Sequence, residues 1–112
     1  MQYTESVFAG IMGVQGSANG GLGTGTLNTP LGCDVDTSGN VYVGDGTNSA
    51  IRKISPGGIM STLAGGVFGY ADGTGSNAKF NKPSFIYLDT NANLYVSDSG
   101  NHAVRLVTPA GE

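Results

Sequence analysis

The stretch "DVDTSGNVYVGD", Asp34 to Asp45, puts oxygen-bearing side chains at positions one, three, five and twelve of a calcium loop and glycine at position six. A calcium loop of that kind needs a helix on either side. This stretch runs directly into the alternation Val41-Tyr42-Val43, which is strand chemistry. A second occurrence further along has Tyr87 and Ala92 in place of Asp34 and Gly39. The expectation is that Asp36 and its counterpart Asp89 accept hydrogen bonds from turn amides, and that no metal or other cofactor is held there.

Asp45 and Asp98 each end an apolar alternation, and Arg52 and Arg105 follow each of them at the same spacing. Such a pair can cap a loop through the carboxylate while the arginine stem packs inside and its head meets a carbonyl or carboxylate. Because both copies have the pair, a structural role is expected over catalysis. His102 is the only histidine, and a turn imidazole bonding a neighbouring unit is the expected role. Phe68, Tyr70 and Asp72 offer aromatic and acidic groups on a loop, where binding residues sit on a rigid scaffold. Asp34, Tyr87 and His102 complete the candidate ligand-binding set, because symmetry-related copies around an axis would multiply them. No nucleophile, base and orienter set appears, so no catalytic residue is assigned. "GGLGTGT" lacks the Lys-Ser/Thr of a phosphate loop and is read as a flexible loop.

Composition indicates which elements hold these groups. The chain has 112 residues, of which 20 are glycine and only 12% are charged, which favours many tight turns between short strands. A single all-β domain is expected. The net charge of -3 gives no electrostatic reason to seek nucleic acid or anionic lipid. No apolar run approaches the roughly 20 residues that span a bilayer, and "MQYTESVFAG" lacks the features of a secretion signal. The compartment is left open. Cys33 is the only cysteine and falls in a strand alternation, so a small buried side chain is expected there.

Sliding the chain by 53 positions lays "NTPLGCDVDTSGNVYVGDGTNSAIRKISPGG" on "NKPSFIYLDTNANLYVSDSGNHAVRLVTPAG", and 13 of the 32 pairs from Asn28/Asn81 to Ile59/Glu112 are identical. Each copy reads as strand, Asx turn, strand, turn, strand and proline turn. In the first copy a fourth strand, "IMSTLAG", follows. Four short strands recurring about every 50 residues suggest a propeller blade.

The pattern Pro-x-Gly-x-x-x-Asp-x-x-Gly-Asn-x-Tyr-Val-x-Asp-x-x-Asn-x-x-x-Arg, preceded by "LAG" and "GYADGTGSNAKFNKP", resembles the NHL repeat family. The name-giving triplet is matched by Asn101, His102 and Ala103, and by Asn48, Ser49 and Ala50 in the first copy. The second copy departs at Phe85 and Ala92, two usual glycine positions. The first copy is read as lacking the Tyr-Ala-Asp-Gly turn, with "GVQGSANGGLGTGT" in its place. The resemblance implies a propeller of about six blades, of which this chain carries two.

The resulting division is 1–10 as an outer strand closing a neighbour's blade, 11–65 as the first blade with its inter-blade loop, and 66–112 as a second blade lacking its outer strand. "YTESVFAG", residues 3–10, nearly copies "GIMSTLAG", residues 58–65. The expectation is a homotrimer that closes a six-bladed ring by exchanging these N-terminal strands. The expected function is a non-catalytic, self-assembling scaffold or binding module presenting inter-blade loops to a protein, peptide or glycan. The alternatives are an oligomeric lectin and, because some NHL-like propellers such as the peptide-amidating lyases work through metal in the central channel, a metal-dependent lyase- or hydrolase-like enzyme.

Overall fold

A computed structural model of the chain describes residues 6, 8–11, 13–21 and 24–108. Among these residues seven strands form two antiparallel sheets. The first sheet, in order β1 (Pro30–Val35), β2 (Val41–Asp45), β3 (Ala50–Ile54) and β4 (Met60–Gly65), has four strands. The second sheet, β5 (Pro83–Leu88), β6 (Leu94–Asp98) and β7 (Ala103–Val107), has three. Residues 1–5 and 7 of the expected closing strand, 1–10, lie outside the described residues.

The repeat holds down to single bonds. Asp36 accepts the Ser38 and Asn40 amides at 3.0 and 2.9 Å, and Asp89 accepts those of Asn91 and Asn93 at 2.9 and 3.0 Å. Both β1 and β5 carry a bulge just after their proline. Left-handed backbone recurs 53 residues apart at Gly39 and Ala92 (φ 88° and 64°) and at Ser49 and His102 (φ 54° and 56°). The turns therefore impose this conformation whether or not glycine is present.

The two sheets stack face to face. Tyr42, Ile51 and Ala64 of the first meet Phe80, Ile86, Leu94, Val96 and Val107 around the second, and a fully buried Ile51 or Leu94 contributes roughly 1.5–3 kcal/mol. Gly32 and Gly44 permit close approach: a Cβ on Gly32 would lie 2.8 Å from the Ser84 carbonyl oxygen, and one on Gly44 would collide with the same atom. Asp34 ties the inner strands together, accepting the Leu88 amide across the interface at 3.0 Å.

Two expectations are corrected. Cys33 is exposed, because it points to the face of the first sheet turned away from the second; its counterpart Ile86 is buried against the first sheet. The first copy does have the loop it was read as lacking. Gly16-Ser17-Ala18-Asn19-Gly20 stands 53 residues before Gly69-Tyr70-Ala71-Asp72-Gly73, and the parallel bridges Gln15/Leu27 and Phe68/Phe80 match at that spacing. The glycine-rich stretch is tied to β4 by paired bonds between Gly20 and Met60.

Tyr42 is buried and donates to Asp36 at 3.1 Å. Desolvation, then that hydrogen bond and the carboxylate charge, push its pKa up to about 12 from 10.0. For Asp36, desolvation raises the pKa, but the hydrogen bonds from Asn40, Tyr42 and Ser38 outweigh it and hold the carboxyl below 3.8. A raised tyrosine pKa means stability that is fully present below pH 10.0 and is lost as pH rises through about 12. The expected phenolate titration, followed by ultraviolet difference absorption, has a step from Tyr42 at about pH 12 that coincides with unfolding. In Tyr42→Phe that late step should be gone.

Candidate functional site

Asp45, fully buried at the end of β2, gathers the first blade's polar centre. Its Oδ1 accepts the Asn28 amide at 2.7 Å, and its Oδ2 accepts Asn48 Nδ2 at 2.7 Å and Arg52 Nη1 at 2.9 Å. Arg52 then reaches out of its own sheet. Nη1 donates to the Thr26 carbonyl at 3.0 Å, and Nη2 donates to the Ala18 carbonyl at 2.9 Å and Asn19 Oδ1 at 2.6 Å. One arginine thus fastens strand, loop and carboxylate together.

The second blade repeats every partner 53 residues later. Asp98 accepts the Asn81 amide at 2.8 Å, Asn101 at 2.8 Å and Arg105 at 2.9 Å. Arg105 donates to the carbonyls of Lys79 and Ala71 at 3.2 and 2.9 Å and to Asp72 Oδ1 at 2.8 Å. The sequence reading placed the Asp/Arg pairs correctly but missed their loop partners. Extending the 53-residue comparison upstream, where Gly16, Ala18 and Gly20 match Gly69, Ala71 and Gly73, would have found them.

The two copies differ in what lies outside the arginine. In the first, β4 pairs with β3, and the Thr62 hydroxyl donates to Asn19 Oδ1 at 3.2 Å. In the second, no strand among the described residues pairs with the far side of β7. Asp72, which replaces Asn19, has a side chain 88% exposed, and Tyr70 lies with its ring centroid 4.6 Å from the Arg105 guanidinium. A cleft of about 370 Å³ remains between Ala64, Tyr70, Asp72 and β7. Its chemistry suits an extended peptide: a free backbone edge for ladder bonds, and a carboxylate oxygen placed where Asn19 takes a strand hydroxyl.

The sequence-selected residues fall in different places. Tyr70 and Asp72 meet at Arg105. Phe68 is exposed next to them in the chain, its backbone bridged to Phe80. Asp34 and Tyr87 line a separate cleft of about 400 Å³ together with Asp36 and Asp89, and both Asp34 oxygens are engaged, by Val35 and Leu88. His102 lines neither cleft; it is exposed in its left-handed turn, with its amide bonded to Ser99. These candidates therefore do not form one site.

The described part of the N-terminal segment repeats the end of β4. Gly10 and Gly65 share φ values of 86° and 81°. A Cβ on Gly10 would lie 3.7 Å from Leu27, and one on Gly65 would lie 2.8 Å from Phe80, the residue 53 positions after Leu27. Ala9 packs against Val43, Ile54 and Met60, as Ala64 packs against the second sheet. The segment thus lies against the first blade as β4 lies against the second.

Residues 80–105 match the NHL repeat. The chain is 37% identical over 79 residues to human NHL repeat-containing protein 2, covering 62% of this chain and 11% of that protein. It superposes on a Bacteroides thetaiotaomicron VPI-5482 protein of unknown function with a TM-score of 0.83 at 29% identity, covering 90% of this chain and 26% of that one. It also superposes on an auxiliary nutrient binding protein of Bacteroides ovatus ATCC 8483 with a TM-score of 0.75 at 28% identity, covering 83% and 26%. The chain spans about a tenth of the length of the plant and human relatives it matches.

Proposed function

We propose that this chain is a non-catalytic, two-blade segment of an NHL-repeat propeller, and that its work is protein binding through completion of the second blade by an added strand. The single observation that carries this reading is the contrast at the arginines: Arg52 lies beneath a paired β4, whereas beside Arg105 no strand among the described residues pairs with the far side of β7. The strand that fits is residues 3–10 of another copy, since Ala9 and Gly10 already have the geometry of Ala64 and Gly65. Each copy then lends a strand to the blade beside its own first blade. The contact is head to tail, which closes into a ring when the rotation permits, and three copies supply six blades. The absence of catalysis is inferred from the paired Asp and Arg groups, which hold backbone in both copies alike.

Light scattering on a sizing column tests this. The expected mass is threefold that of one chain, falling to aggregate or unfolded chain when residues 1–8 are removed. A folded, monodisperse single chain in either preparation would overturn the proposal. Glycan binding at the Tyr70 and Asp72 cleft is a second reading, favoured by the exposed Tyr70 ring and by the nutrient-binding designation of a similar structure. A glycan array probed with the intact protein tests it, and sugar-competed signal lost in Tyr70→Ala is the expected result.

A further inference from the structure

Each blade buries one face against the other; among the described residues the second blade's other face lies open, while the first blade's is covered over Val43, Ile54 and Met60 by Ala9 and Leu27 and open along β1. The repeat shows which faces match. Ser84 and Ile86 are 6% and 8% exposed beneath the first blade, whereas their counterparts Leu31 and Cys33 lie open. Conversely, Tyr42 and Ile51 are 5% and 0% exposed beneath the second blade, whereas their counterparts Tyr95 and Val104 are 41% and 73% exposed.

We infer that the outward face of the second blade, carrying Phe85, Tyr95, Val104 and Leu106, docks on the first blade of a second copy, over Leu31, Cys33, Val35 and Val41. This rests on the assembly reading above and names the surfaces that meet. Neither face carries a charged residue among those eight, so little is lost in removing both from water. The contact continues the interface inside the chain, shifted by one repeat.

Side-chain sizes fit that shift. Within the chain, Gly32 lies against the Cα of Phe85; between copies, Phe85 lies against Gly32, so one partner is large and the other small each time. The offered face is bulkier than its counterpart, with Phe85 for Gly32, Tyr87 for Asp34 and Ser97 for Gly44. The receiving face is reduced at three positions, with Cys33 for Ile86, Val41 for Leu94 and Leu27 for Phe80, and enlarged at Leu31 for Ser84. A cavity of about 310 Å³ lies over these three smaller residues. Ser97 cannot approach a carbonyl as closely as Gly44 does, so the contact between copies is looser at β6 than the one within the chain.

Tyr95→Cys with the native Cys33 tests the pairing. Position 95 and Cys33 lie on opposite outer faces of a two-sheet stack, whose sheets alone sit about 10 Å apart, so a short bismaleimide cannot join them within one chain. The expected result is bands at dimer and trimer mass on a denaturing gel, with the trimer band lost when Cys33→Ser is added. Leu106→Glu, at an exposed site, should reduce the assembled mass while leaving the circular dichroism spectrum unchanged. A multi-chain mass for the parent protein with no linkage from position 95 to Cys33 overturns this face pairing and leaves strand exchange standing. A single-chain mass for the parent protein overturns both.

Discussion

Asp45→Ala is expected to unfold the chain, or to leave it with a denaturant midpoint lowered by the equivalent of about 3–5 kcal/mol, the cost of breaking a buried ion pair by removing one partner. The size of the effect follows from burial. Arg52 and Asp45 have side chains 1% and 0% exposed, and their charges meet at 2.9 Å. Without the carboxylate, a buried guanidinium keeps only neutral acceptors, and the Asn28 amide and Asn48 side chain lose theirs as well. Domains of this size carry about 5–15 kcal/mol in total, so the loss is a large part of what is available. Arg52→Lys should also destabilise the chain, because a single ammonium cannot match the planar fork that serves Thr26, Asp45, Ala18 and Asn19 at once. Asp72→Asn is the contrasting control: its side chain is exposed and asparagine already stands at the matching position 19. Its melting curve should overlay the parent's. A melt for Asp45→Ala that also overlays the parent's would refute the role given to the pair.

The second large effect is expected from Gly44→Ser, which copies the residue that the other blade has at Ser97. A Cβ on Gly44 would collide with the Ser84 carbonyl oxygen and lie 3.0 Å from that of Pro83. Both obstacles are backbone, so relief requires the sheets to separate. Overpacking of this kind costs about 1–3 kcal/mol, read as a lower urea midpoint and as faster amide exchange in β2 and β5. The reciprocal change, Ser97→Gly, removes no contact between blades within the chain and should not alter the exchange pattern of β2 and β5. Equal exchange in the Gly44→Ser protein and its parent would mean that the inter-blade spacing is not set at this glycine.

The amino-acid sequence by itself determined the strands, the turns and the recurring polar centres. Period-two alternation, Asx turns and a 53-residue self-match are local signals, and Asp36, Asp45, Arg52 and their counterparts act on nearby backbone. What only the tertiary structure decided is which face of each sheet is covered. Cys33 and Ile86, or Tyr42 and Tyr95, occupy matching positions in the repeat, yet one of each pair is buried and the other is open, because burial depends on which neighbour lies opposite and alternation is blind to that. Spatial packing likewise joined Tyr70, Asp72 and Arg105 into one cleft while keeping His102 and Tyr87 apart from it. Those residues meet through side chains reaching across 33 or more positions of chain, a contact that strand alternation does not register and that shows in the sequence only as partners recurring 53 residues apart.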